Sequence, residues 1–265
     1  MRRRARINQI VADFSRKPLS ESRVLDLASL EGHFSAELAT RGANVVGIEG
    51  RSNNLKSARE LFSFPNLEFV QDDVRNLSRE KYGTFDIVLC LGILYHLDAP
   101  DCFRLLESIA EVCDGLAIID THTGLTRHET VTYKGREYRG FYFTEFESEP
   151  TPEQEEESVW SSIKNLRSFW LSKPSLINAI IEAGFTSVYE CQFPACNDQP
   201  VDRVSLVAVK GKRERVLAVP FDEAILGERA VEELPLSFQL AEPETLYRRT
   251  RARAGKVARR LRLRK

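Results

Sequence analysis

At 265 residues and 42% hydrophobic content, the chain can close a full α/β core and is too apolar to be disordered as a whole. No run of about 18 apolar residues occurs, and MRRRARINQI lacks the apolar stretch of a secretory signal, which excludes a spanning helix and predicts a soluble, cytoplasmic protein. The formal charge of −1 hides an acidic body: ten Lys/Arg fall in residues 248–265 and four more at Arg2, Arg3, Arg4 and Arg6, leaving 24 basic against 39 acidic residues between. Such a body does not draw nucleic acid over distance, although its ends could touch a polyanion.

From residue 23 the sequence alternates short apolar runs with helical ones. RVLDLA predicts strand one and EGHFSAELATRG a helix; NVVGIEG is strand two, SNNLKSARELF a helix, and NLEFVQ strand three. TFDIVLCL is strand four, APDCFRLLESIAEV a helix, and GLAIID strand five. Regular β-α-β alternation with continuously apolar strands predicts an α/β, doubly wound parallel sheet covered by helices on both faces. Residues 121–172 break the pattern and read as an acceptor-site insertion or lid, rich in polar and aromatic residues. PSLINAIIEAGF then predicts a helix, and SVYECQFP and RVSLVAVKG two antiparallel strands. The chain thus divides into an N-terminal segment 1–21, a main domain 22–211, a weakly patterned extension 212–247 and a basic amphipathic tail 248–265. Five cysteines, at 90, 102, 113, 191 and 196, form no C-x-x-C pair and read as reduced thiols.

Ligands of doubly wound sheets sit beyond the carboxyl ends of the strands. Polar residues recur there in register: Asp26 after strand one, Glu49 after strand two, Asp72 and Asp73 after strand three, Gly92 with Tyr95-His96 after strand four, and Asp120 and His122 after strand five. Glu49, 17 residues past Gly32, can accept both hydroxyls of a ribose. Asp73, beside a donor at the Val74 backbone, can accept from an adenine amino group; Asp72 could take that role instead, the other being a helix cap. In VLDLASLEG, Leu30 stands where a dinucleotide loop needs glycine to approach a pyrophosphate, which counts against a nicotinamide or flavin cofactor. Ala28 leaves room for the turn, and Gly32 permits close approach at the helix start.

VLDLASLEG, VVGIEGR, FVQDDV, FDIVLCLGILYHL and RVSLVAVKG together resemble the class I S-adenosylmethionine-dependent methyltransferases over about residues 22–211. The resemblance implies a seven-stranded Rossmann-like sheet with an antiparallel last strand and S-adenosyl-L-methionine as cofactor. By position it assigns the methionine part to Asp26, Ala28 and Gly32, ribose to Glu49, adenine to Asp73 and Val74, and the border between them to Leu91 and Gly92. LGILYHLDAP and SFWLSKPSLINAIIEAGF resemble the methyltransferase domain of the tRNA wobble-uridine carboxymethyltransferase group and methyltransferases associated with glycoconjugate genes. Only about 22 residues precede strand one here, so the tRNA-handling region of that group is expected to be largely missing, which weighs against a carboxymethyl transfer without excluding it.

The resulting expectation is O-methylation of a saccharide or related small hydroxyl compound. A tRNA-modifying enzyme and a non-catalytic binding module are the alternatives. Methyl transfer from a sulfonium needs in-line placement and removal of the hydroxyl proton. His122 is the first candidate base, with Asp120 as its orienter or a second acceptor, or else His122 caps or packs the loop; His96 could act on substrate or be structural, and Tyr95 lines the site. Asp120 and His122, with His128 or Glu129, could instead hold a magnesium-like ion. Tyr133, Tyr138, Phe141, Tyr142, Trp160, Phe169 and Trp170 read either as a lid stacking on a ring or as a small core of their own. Arg167, or more weakly Arg203, could clamp a carboxylate or phosphate. The basic tail reads as a non-specific arm, as a contact for an anionic membrane surface or, third, as an RNA contact.

Overall fold

The computed structural model describes residues 2–125, 129–192 and 200–211. The extension 212–247, the tail 248–265, His128 and Cys196 lie outside the described residues. Ten strands and seven α-helices follow in chain order among them: α1 (Arg2–Phe14), β1 (Arg23–Leu27), α2 (His33–Thr40), β2 (Asn44–Glu49), α3 (Ser52–Leu61), β3 (Leu67–Gln71), α4 (Arg79–Tyr82), β4 (Phe85–Leu91), α5 (Asp101–Val112), β5 (Cys113–His122), β6 (Glu129–Tyr133), β7 (Arg136–Thr144), α6 (Pro152–Glu157), β8 (Arg167–Leu171), α7 (Lys173–Glu182), β9 (Ser187–Glu190) and β10 (Arg203–Val209).

The main sheet runs β3-β2-β1-β4-β5-β10-β9, parallel except that β10 is antiparallel to both β5 and β9. This is the expected doubly wound sheet with its antiparallel last strand. Alternation of side chains across the pleat splits the core into two layers. On one face Leu25, Leu27, Val88, Cys90, Ala117 and Ile119 pack against α5 and α7. On the other, Val24, Val45, Ile87, Leu89 and Ile118 meet Leu38 and Ala39 of α2, with Ile7, Ile10 and Val11 of α1. Cys90, Cys102 and Cys113 are buried free thiols, and burial pushes Cys90 and Cys113 up to about 12, so they serve as core.

Two regions depart from the sequence reading. The N-terminal segment is a helix whose spacing of Ile7, Ile10 and Val11 buries one face completely; each such side chain contributes roughly 1.5–3 kcal/mol. The insertion forms a three-stranded antiparallel sheet, β6-β7-β8, with Lys134-Gly135 in the hairpin turn. No helix among the described residues is long and apolar enough to cross a membrane.

Candidate functional site

A cleft opens beyond the carboxyl ends of the parallel strands, where β1 and β4 lie side by side and the strand order reverses. Glu49, Asp72, Asp73 and Val74 line one end, Ala28, Leu30, Leu91 and Gly92 the middle, and Tyr95, His96, Arg3 and Arg203 the other end.

The turn after β1 is tight. Ala28 and Leu30 adopt positive φ of 53° and 50°, and Gly32 follows at 76°, so three alternate positions are left-handed. Only the third is glycine, and each non-glycine residue there costs about 1–2 kcal/mol. The turn is held regardless: Ser29 N–H donates to Ile48 O at 3.0 Å, and Leu30 N–H donates to Glu49 Oε2 at 2.8 Å. Gly32 lies outside the cleft lining. A Cβ there would come within 2.3 Å of Phe69 Cζ, so it is the Phe69 ring that approaches this backbone. Asp26 also lies behind the wall; it is 2% exposed and accepts from Ser35 Oγ at 2.6 Å. Burial is the main cause that raises it to about 6, opposed by the hydrogen bonds from Ser35.

At the first end Glu49 is 2% exposed and braced from two sides, Oε2 by Leu30 N–H and Oε1 by Arg51 N–H at 2.9 Å. Oε1 also accepts from Asn54 Nδ2 at 3.4 Å, so Oε2, with a single partner, keeps the clearest lone-pair capacity for a ribose hydroxyl. Asp73 is the cap of a 3₁₀ turn, accepting from Arg75 N–H at 2.9 Å and from the Arg75 guanidinium at 2.8 Å. Asp72 is tied to Tyr82 Oη, to Lys81 at 2.6 Å and to Asn76 at 2.8 Å. Asp73 is therefore the cap, yet Asp72 is the more fully committed of the two, so capping and facing the cleft are not alternatives: Asp73 does both.

At the second end the structure rearranges the expected partners. In the β5–β10 register Arg203 lies opposite His122 and Ser205 opposite Asp120. Asp120, 1% exposed, accepts from Arg203 Nε at 2.7 Å and Ser205 Oγ at 2.7 Å, and from Arg3 Nε of α1 at 3.1 Å. It does not orient His122, because a guanidinium stands between them. The same guanidinium takes the place of the magnesium-like ion that Asp120 and His122 could have shared. Among the described residues no group of three His, Cys, Asp or Glu converges to hold a metal. His122 Nδ1 lies 3.1 Å from Asp202 Oδ1, and Nε2 faces Arg203 Nη1 at 3.2 Å. Burial and Arg203 lower its pKa against the pull of Asp202 and Asp120. His96, in contrast, presents Nδ1 to both oxygens of Glu145, at 3.0 and 3.2 Å. Nδ1 is then the donor and Nε2 the proton-accepting nitrogen of the neutral ring.

Tyr95 packs against both histidines, its ring 4.2 Å from His96 and 4.8 Å from His122. Trp170 lies flat against His122 at 5.1 Å, backed by Phe141 and Phe143. The insertion's aromatics thus divide. Tyr138 and Phe169 are core, Tyr133 stacks on Phe103, and Tyr142 packs on Phe169, while Trp170, Phe141 and Phe143 adjoin the site. Arg167 pairs with Asp98 at 3.1 Å over the Tyr142 ring, away from the cleft lining.

Sequence reasoning missed Arg3, Glu145 and Asp202. The spacing of Ile7, Ile10 and Val11 signals the helix that delivers Arg3, whereas Glu145 and Asp202 reach the site only through tertiary packing. Arg3 Nη2 is buried without a hydrogen-bond partner, although Asp120 Oδ1 lies 3.0 Å away.

Residues 24–114 match the family described as a methyltransferase domain. The ubiquinone biosynthesis O-methyltransferase of Acinetobacter baylyi is 33% identical over 101 residues, 37% of this chain and 40% of the relative. Its counterpart in Bordetella pertussis is 34% identical over 101 residues, 37% of this chain and 39% of the relative. The chain therefore spans about two fifths of the length of these curated relatives. Among solved structures, the N-terminal domain of EvdMO1, in the presence of SAH and D-fucose, aligns with a TM-score of 0.62 at 25% identity, over 78% of this chain and 82% of that one. An S-adenosylmethionine-dependent methyltransferase from Mesorhizobium loti shares the fold, with a TM-score of 0.54 at 15% identity over 78% of this chain and 98% of that one.

Proposed function

We propose that this chain, by its 24–114 domain and its fold a class I S-adenosylmethionine-dependent methyltransferase, transfers a methyl group to a hydroxyl of a saccharide or related small compound. The observation that carries the cofactor reading is the braced Glu49 carboxylate at the tip of β2, with Asp73 and Val74 beyond it on the same cleft wall. The guanidinium of Arg3, paired with Asp120 at 3.0 Å at the other end of the cleft, fits the same group, since a cation there suits the carboxylate of a methionine moiety. Ala28, Leu91 and Gly92 would border that moiety. When bound, the cofactor supplies an electrophilic methyl on a sulfonium.

The residues of the chain then have three tasks. Glu49 and Asp73 fix the adenosine, which sets where the methyl is presented. Tyr95 and Trp170 wall the acceptor end and exclude water, and a flat aromatic face suits the C–H face of a sugar ring. A histidine takes the hydroxyl proton as the C–O bond forms. Of the two candidates, His96 has its Nδ1 held by a carboxylate and its Nε2 open, the arrangement of an oriented base. The Nε2 lone pair of His122 faces Arg203, so His122 and Asp120 serve better to shape and charge the acceptor end.

The saccharide class is supported by the EvdMO1 domain, described with D-fucose, and O-transfer by the ubiquinone biosynthesis O-methyltransferases. Calorimetry with S-adenosylhomocysteine tests the cofactor, and absence of binding would sink the reading. Transfer of labelled methyl to free hexoses, deoxyhexoses and their nucleotide conjugates, run beside a catechol and unmodified tRNA, tests the acceptor. Label entering only tRNA, or only the catechol, overturns the saccharide assignment.

A further inference from the structure

The 155–165 stretch of the insertion lies over the adenosine end of the cleft, not the acceptor end. Its Val159, Trp160 and Ile163 line the wall that also holds Asp73. Two arginines gather this strap: Arg75 Nη2 donates to Ile163 O at 2.9 Å and to Asn165 Oδ1 at 2.8 Å at its far end, and Arg51 holds its near end. Arg51 sits at the N-terminal edge of α3, with its backbone N–H on Glu49 Oε1. Its Nε donates to Glu155 O at 2.8 Å, and its Nη2 donates to Ser158 O at 2.8 Å and to Ser161 O at 2.7 Å. A planar fork can collect three carbonyls from different directions, which an ammonium on a flexible stem does less completely. Glu155 O lies in the last turn of α6 and Ser158 O also accepts from Ser161 N–H at 2.9 Å, so the guanidinium ties the end of α6 to the irregular backbone that follows it.

The strap also reaches the transfer end of the cleft. Ser162 N–H donates to Glu145 Oε2 at 2.9 Å, the same carboxylate that holds His96, and Asn165 Nδ2 donates to His96 O at 3.0 Å. A change in the strap is therefore felt at His96, and Arg51 stands between the ribose-reading carboxylate and that strap.

We propose that Arg51 is a positioning residue of the cofactor site, clamping the strap as the outer wall of the adenosine subsite so that bound cofactor is released only when the strap lifts. The inference rests on the cofactor reading above. Residues of the insertion thus serve the cofactor as well as the acceptor, and loss of the clamp acts on how long the cofactor stays.

Trp160 and Trp170 are the only tryptophans, so a Trp170→Phe background leaves Trp160 in the strap as the sole reporter. In stopped-flow displacement of S-adenosylhomocysteine, Arg51→Ala is expected to speed release by about tenfold or more, for three charge-assisted hydrogen bonds lost, with Arg51→Lys in between. In the unmutated protein, S-adenosylhomocysteine is expected to slow amide hydrogen exchange across 155–163. Release unchanged in Arg51→Ala with a lowered ligand-free Tm would mark a purely structural anchor and overturn the proposal. Exchange across 155–163 insensitive to the ligand would do the same, even if the variant failed to fold. Failure of the unmutated protein to bind S-adenosylhomocysteine would sink the cofactor reading itself, whereas binding with Arg51-insensitive release sinks only the clamp.

Discussion

The two ends of the cleft are built on different principles. At the adenosine end, Glu49 and Asp73 stand at strand tips, each braced by backbone N–H groups within three residues or one strand of it. At the transfer end, Asp120, His96 and His122 are held by side chains far away in sequence: Arg3 from α1, Arg203 and Ser205 from β10, Glu145 from the insertion. Local bracing fixes the two carboxylates of the first end, while the distant strap reaches it only as an outer wall through Arg51 and Arg75. Long-range pairing makes the second depend on three separate segments arriving together, and an unpaired charge is left behind when one is removed.

That contrast can be broken most forcefully at Asp120. Asp120→Ala leaves two arginines facing each other without their counter-ion and should cost about 3–5 kcal/mol in chemical denaturation. A loss below about 1 kcal/mol would mean the transfer end tolerates separation of its parts. Asp26 offers the next largest effect, as a function of pH. Its carboxyl sits at about 6 against an ordinary 3.8, so between those values the folded protein keeps a proton that the unfolded chain has released. Stability therefore falls as pH rises through that window, and the cost, about 3 kcal/mol, is complete above it. Asp26→Asn should flatten the decline in Tm between about pH 4 and pH 6; an unchanged slope would show that another group carries it.

Glu49→Gln keeps the shape but weakens the acceptor, and should lower affinity for S-adenosylhomocysteine by about tenfold to a hundredfold in calorimetry, corresponding to roughly 1.5–3 kcal/mol for hydrogen bonds to a charged group. Equal loss from Asp120→Gln would erase the distinction between the ends. The smallest effect belongs to the strained turn. Ala28→Gly relieves a left-handed alanine and should stabilise the fold by up to about 1 kcal/mol in thermal unfolding, after the entropy of the unfolded glycine is counted.

The sheet was legible because its strands are continuous apolar runs and their period does not depend on distant partners. β1 to β5 and β10 begin or end near the expected runs, and even the antiparallel pairing of β9 and β10 followed from their having only a loop between them. The insertion was less legible. ETVTY and REYRGFYFT alternate only weakly, with partly exposed strands, and a three-stranded sheet resting on the core was read as an undivided lid. His122 was visible as a polar residue past an apolar strand, but its partner was misassigned to Asp120, two residues away. Only the antiparallel register, which sets Arg203 across from His122, reveals why.

What the sequence determined by itself is the order of strands and helices of the main sheet and the row of polar residues at the strand tips. Both follow from local periodicity and from the rule that ligands meet a parallel sheet at its carboxyl edge. Only the tertiary structure decided which of those residues share a wall, which are neutralised by arginines, and which histidine has its Nε2 turned to a guanidinium. Charges and hydrogen bonds act over a few ångströms in space, and residues 3, 96, 120, 145 and 203 come within that range only once α1, the insertion and β10 have packed onto the sheet.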